Sequence, residues 1–139
     1  MAKILIVSDK PVADSTIVID SLYKNVLEKE HNVICVYPQD YNTENPDLSQ
    51  YFNDFKPDIV LLSTIGTRKS AADRYRVHIH LKKFDVPMVI SDFDFVNKYP
   101  FDNEENELYF NVFGNSNYIQ KAMECIKKAL DMKHGQKNA

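Results

Sequence analysis

The chain has 139 residues, 44% of them hydrophobic and 27% charged, with a net charge of −3. One globular domain fits that length and composition; two would be cramped, and a disordered chain would hold fewer apolar residues. The only glycines are Gly66, Gly114 and Gly135, so neither the three-glycine dinucleotide fingerprint nor the Walker loop is present. A mildly acidic chain is also a poor general nucleic-acid binder, because that affinity rests on neutralising phosphates.

In chain order, Lys3–Ser8 (KILIVS) is a short, β-branched apolar run that ends in the turn-like Asp9-Lys10-Pro11, the pattern of a strand buried on both faces. Asp14-Ser15 can cap a helix carrying Ile17, Leu22, Val26 and Leu27 up to Glu30. Asn32–Tyr37 (NVICVY) is a second strand, followed by a polar loop from Pro38 to Pro46. A second helix begins at Asp47 with Leu48, Tyr51, Phe52 and Phe55 on one stripe, and Pro57-Asp58 stops it. Ile59–Ser63 is the third strand, Lys69–Lys83 the third helix and Val86–Ser91 the fourth strand. Asp92–Glu107 is acidic, aromatic and poorly periodic. Leu108–Phe113 is the fifth strand, and Ser116 or Asn117 caps a last helix striped by Ile119, Ala122, Met123, Ile126 and Leu130. The domain spans residues 1–132, and 133–139 form a polar tail expected to fray.

Strands alternating with helices predict right-handed crossovers and a parallel sheet covered on both faces: an α/β/α three-layer sandwich with five strands. Cys35 and Cys125 lie in apolar segments and make neither a zinc site nor a disulfide scaffold; they read as small buried hydrophobes of a reducing, cytoplasmic compartment. No apolar stretch reaches the ~18 residues of a membrane span, and the N-terminus runs straight into a strand pattern rather than a signal peptide.

Ligands of such sheets bind outside the carboxyl ends of the strands. The polar residues there are Ser8-Asp9, Ser63, Ser91-Asp92 and Asn111, which together predict a small crevice. These same segments resemble a response-regulator receiver domain. Ile4–Pro11 resembles its opening, Lys56–Ser63 its third strand, Pro87–Ser91 its fourth strand with a terminal hydroxyl, and Leu108–Phe113 the segment that carries Lys-Pro-Phe in receivers. The resemblance covers nearly the whole chain and implies a flavodoxin-like strand order 2-1-3-4-5. It also implies which groups are missing. The phosphoacceptor Asp falls on Ser63 and the Lys on Asn111, and of the acidic pair only Asp9 remains, with Asp92 and Asp14 as substitutes. Mg²⁺ wants several carboxylate oxygens. Ser63 cannot form an acyl phosphate, and no His lies in these motifs to activate its hydroxyl. Losing acceptor and Lys together avoids a stranded buried cation and leaves two neutral groups able to hydrogen-bond.

The chain is thus identified as similar to aspartate-less receivers. That implies a phosphorylation-independent signalling module that acts by binding a protein, with a degenerate pocket of Asp9, Ser63, Ser91 and Asn111 and with no catalytic residue, cofactor or metal. A second resemblance runs from Val86 to Phe95 and on to Tyr99-Pro100, preceded by Lys56–Val60: the acceptor-side half of two-domain glycosyltransferases, whose sugar-nucleotide half would be a separate chain. A small flavodoxin-like ligand binder fits less well, because Lys10-Pro11-Val12-Ala13 offers few free backbone donors.

Two segments of opposite charge remain. Arg68, Lys69, Arg74, Arg76, Lys82 and Lys83 against Asp73 give a local net of +5, with His78 and His80 in the same stretch. On a helix those two His are two apart and point away from each other, which disfavours joint metal binding; the bland reading is a solvated basic face. Six acids against Lys98 give Asp92–Glu107 a local net of −5, with Phe93, Phe95, Tyr99 and Phe101 interspersed. Those aromatics, with Arg74 and Arg76, are the expected partner surface, and pairing of the two segments between copies would give a homodimer.

Overall fold

The computed structural model describes residues 1–9, 18–42, 44–65, 71–93, 107–112 and 116–138. Five strands, β1 (Lys3–Ser8), β2 (Asn32–Val36), β3 (Ile59–Ile65), β4 (Met88–Phe93) and β5 (Glu107–Asn111), pair in parallel in the order β2-β1-β3-β4-β5. This is the predicted flavodoxin-like order. Four helices are described: α1 (Val18–Leu27), α2 (Ser49–Asp54), α3 (Ala71–Lys82) and α4 (Tyr118–Asn138). α4 thus runs into the stretch assigned to a polar tail. The fourth strand continues to Phe93, taking in Asp92, and the third continues two residues beyond Ser63. No described helix is long and apolar enough to cross a membrane.

Side chains alternate across each strand, so every strand feeds two cores. Ile4, Ile6, Ile59, Leu61 and Val89 pack with α1 and α4 on one face. Leu5, Val7, Val60, Leu62, Met88 and Ile90 pack with Leu48 and with Val77 and Leu81 of α3 on the other. That is why the strands read as unbroken apolar runs. Each fully buried Leu, Ile or Val contributes about 1.5–3 kcal/mol.

The inward stripe of α1 is Ile19, Tyr23 and Leu27, spaced i, i+4, i+8; Leu22 and Val26, expected on the core side, are only half buried. The difference is a rotation of the helix that brings a tyrosine into the core. α3 has hardly any apolar stripe. Val77 and Leu81 are buried, but His78 beside them is buried as well, so the basic segment is not simply a solvated face. Just beyond α3, Phe84 stacks on Phe52 at 3.8 Å between ring centroids. With glycine so scarce, the chain after α2 and after α3 turns through left-handed Lys56 (φ 54°) and Asp85 (φ 52°), where glycine is usual.

Candidate functional site

The carboxyl ends of β1, β3, β4 and β5 carry two adjacent rows of polar residues, and the two rows face opposite ways. Register pairs Ser8 with Ser63 and Ser63 with Ser91, a row of three serines. By alternation with Ile6, Leu61 and Val89, this row faces α1 and α4. One residue further on, Thr64 pairs with Asp92 and Asp92 with Asn111. With Asp9, which follows Ser8, these make a second row on the α2/α3 face.

The sequence groups Asp9, Ser63, Ser91 and Asn111 into one crevice. The strand register instead divides them by face: Ser63 and Ser91 belong to the serine row, Asp9 and Asn111 to the acidic row. The sequence also leaves Asn111 and Ser63 as two neutral groups able to hydrogen-bond. The two stand on different rungs, with β4 between their strands. Thr64 completes the acidic row and is absent from the sequence-based set. Asp92, considered there only as a substitute acid, stands in its centre.

Each row is tied to groups that the polypeptide itself supplies. The Tyr23 hydroxyl and Ser91 Oγ lie 2.8 Å apart and share a hydrogen bond in the core. Burial pushes the Tyr23 phenol well above its ordinary range, and the bond to Ser91 works against that. In the acidic row, Thr64 Oγ1 donates to Asp9 Oδ2 at 2.5 Å and Tyr109 donates its hydroxyl to Asp92 Oδ2 at 2.8 Å. Tyr41 donates to the Ser8 carbonyl at 2.7 Å, and the Asp9 N–H donates to the Ser63 carbonyl at 3.3 Å. Ser8, Ser63, Thr64 and Asp92 are fully buried, and Asp9 is only 4% exposed. Burial of this many polar groups is tolerable only because they are hydrogen-bonded. The tyrosines gave a usable signal: a Tyr on the inward face of an element needs a partner for its hydroxyl, and strand-end serines and acids are the nearest polar groups.

A second polar centre lies under α3. His78 Nε2 meets Glu107 Oε1 at 2.6 Å, with both side chains buried. This places Glu107 in β5 and takes it out of the acidic, poorly periodic segment to which the sequence assigns it. His80 Nε2 accepts the Leu48 N–H at 2.8 Å and so holds the entry to α2; desolvation lowers the pKa of this imidazole. The two His therefore serve separate neighbours. Among the described residues, no group of three or more His, Cys, Asp or Glu is placed to hold a metal ion.

Of the expected partner surface, Phe93 is half buried against the α1/α4 core and Arg76 is exposed. Phe95, Tyr99, Phe101 and the Arg74 side chain lie outside the described residues, as do Gly66 and Gly114. Cys125 is buried, its thiol pushed up by burial, and Cys35 is half buried; neither is in a disulfide.

No protein-family model matches the sequence, and neither does any curated protein. Among solved structures, the chain is similar to the N-terminal domain of the nisin resistance regulator NsrR, a lantibiotic response regulator. The identity is 21% and the TM-score 0.56, over 94% of this chain and 98% of that one. Strand order and this likeness agree: the chain has the flavodoxin-like fold of a response-regulator receiver domain.

Proposed function

We propose that the chain is a receiver-like signalling or regulatory module that works by binding a protein partner, without phosphoryl transfer at its strand ends. The observation that carries this reading is the state of the strand-end groups. The residue matching a receiver's acceptor is Ser63, fully buried in the serine row, while Asp9 and Asp92 hold Thr64 and Tyr109. Phosphoryl uptake needs an exposed carboxylate, a cation for the developing charge and acids for Mg²⁺, gathered on one side of the sheet. Ser63 meets none of those needs, and the matching Lys position holds the uncharged Asn111. A fold that keeps a receiver's architecture without those groups retains its surfaces, and surfaces bind proteins.

The test is incubation with acetyl phosphate, and separately beryllofluoride, in Mg²⁺. Intact mass and amide NMR spectra should stay unchanged. A mass increase of one phosphate, or shifts centred on Ser63, Asp9 or Asp92, would overturn the proposal.

A further inference from the structure

A groove of about 530 Å³ runs between the last turns of α1 and the middle of α4. It lies at the amino-terminal end of the sheet, where His31 Nδ1 accepts the Ala2 N–H ahead of β2, and so opposite the polar strand ends. Leu27 and Ile126 are buried at its base, and Val26, Met123 and Leu130 line it half exposed. Exposed Lys29 and Lys127 stand at its rim with Glu30.

We propose that this groove is the docking site for an acidic amphipathic helix of a protein partner. The shape argument is that two helices packed side by side leave a furrow along both, which the apolar stripe of a third helix fills. The charge argument selects the sign of that helix. The charged groups that line the groove are Lys29 and Lys127 against Glu30, a local net of +1 within a chain of net −3. An acidic partner is therefore attracted to this lysine rim while the chain as a whole repels it, which focuses encounter on the groove. A second copy is the poorer occupant, because a twofold contact through this face sets the Lys29 and Lys127 rim of one copy against that of the other. The proposal deepens the protein-binding reading, by naming the chemistry of the partner, and does not involve the strand ends.

The experiment uses the whole chain and two synthetic amphipathic helices of about five turns. Both present the same leucine stripe, one flanked by Glu and the other by Lys, and binding is followed by fluorescence anisotropy. The Glu helix should bind at least tenfold more tightly than the Lys helix, and less tightly as salt is raised. The double change Lys29→Glu with Lys127→Glu, at exposed positions that leave the fold intact, should weaken the Glu helix about tenfold. Met123→Glu should abolish binding. Amide shifts should centre on Val26, Met123 and Leu130. Equal binding of both helices, indifference to the lysine changes, or shifts elsewhere would overturn the assignment. So would a dimer in sedimentation that Met123→Glu dissociates, since a second copy would then fill the groove. Uptake of phosphate at the strand ends would count against phosphorylation independence and leave this result standing.

Discussion

Among individual residues, Tyr23 has the most to explain. It is a fully buried phenol on the inward stripe of α1, bonded across the core to Ser91 of β4. Removing its hydroxyl leaves Ser91 to find another partner, so Tyr23→Phe should destabilise the fold by about 1–2 kcal/mol. The pH dependence has a definite sign. Burial raises the phenol's pKa above its unfolded value of 10.0, so the folded protein keeps a proton that the unfolded chain loses. That contribution is whole below about pH 10 and falls away as pH rises beyond it. Half-buried Tyr37 shifts the same way, so the comparison must be with the variant. Urea unfolding of Tyr23→Phe between pH 9 and 11 should decline less steeply than wild type, by up to about 1.4 kcal/mol per pH unit. Parallel decline of the two proteins would mean the phenol ionises freely in the fold.

Between elements, the His78–Glu107 pair joins α3 to the first residue of β5. Among the described side chains of α3, only Val77 and Leu81 join the apolar core, so a polar tie carries part of its docking. A second Glu107 oxygen, Oε2, is buried without a hydrogen-bond partner among the described residues, so the pair is not fully satisfied. Such pairs respond asymmetrically to mutation. Losing one member strands the other, whereas replacing both with apolar groups of similar volume costs little. His78→Leu or Glu107→Met alone should therefore destabilise by about 3 kcal/mol or more, and the two changes together by less than either. Denaturant midpoints of the four proteins give the coupling directly. Additive losses would reduce the contact to packing alone. Neither half of this tie was legible in the sequence. His78 sits in a run whose charges suggest solvent, and Glu107 ends a stretch of acids. Their meeting depends on how far α3 rotates over the sheet.

For the whole molecule, the parallel three-layer sandwich was legible, because alternation of β-branched runs with helical stripes admits few topologies, and the receiver resemblance implied the strand order. The division of the strand ends into two rows was not, and the reason is physical. A strand half exposed to water announces its faces by alternating polar and apolar residues. These strands are apolar on both faces, so nothing in Ile59–Ser63 says which way Ser63 looks, and a shift of one residue moves a side chain to the other face. Facing can be tested by introducing a carboxylate at neighbouring positions of β3. Ser63→Asp places a charge in the serine row, against α1 and α4, and should destabilise by several kcal/mol whether or not a divalent cation is present. Thr64→Asp places it between Asp9 and Asp92, on strands about 4.8 Å apart, and removes the hydroxyl that Asp9 now holds. Three acids in one row repel each other, so this variant should also lose stability in a chelator. Unlike the first, it should regain much of the loss in millimolar Mg²⁺, a hard cation suited to clustered carboxylates. Thermal melts of both variants with EDTA and with Mg²⁺ decide the matter. Rescue of Ser63→Asp rather than Thr64→Asp would put the receiver's acceptor position back on the acidic side and restore the single crevice that the sequence suggests.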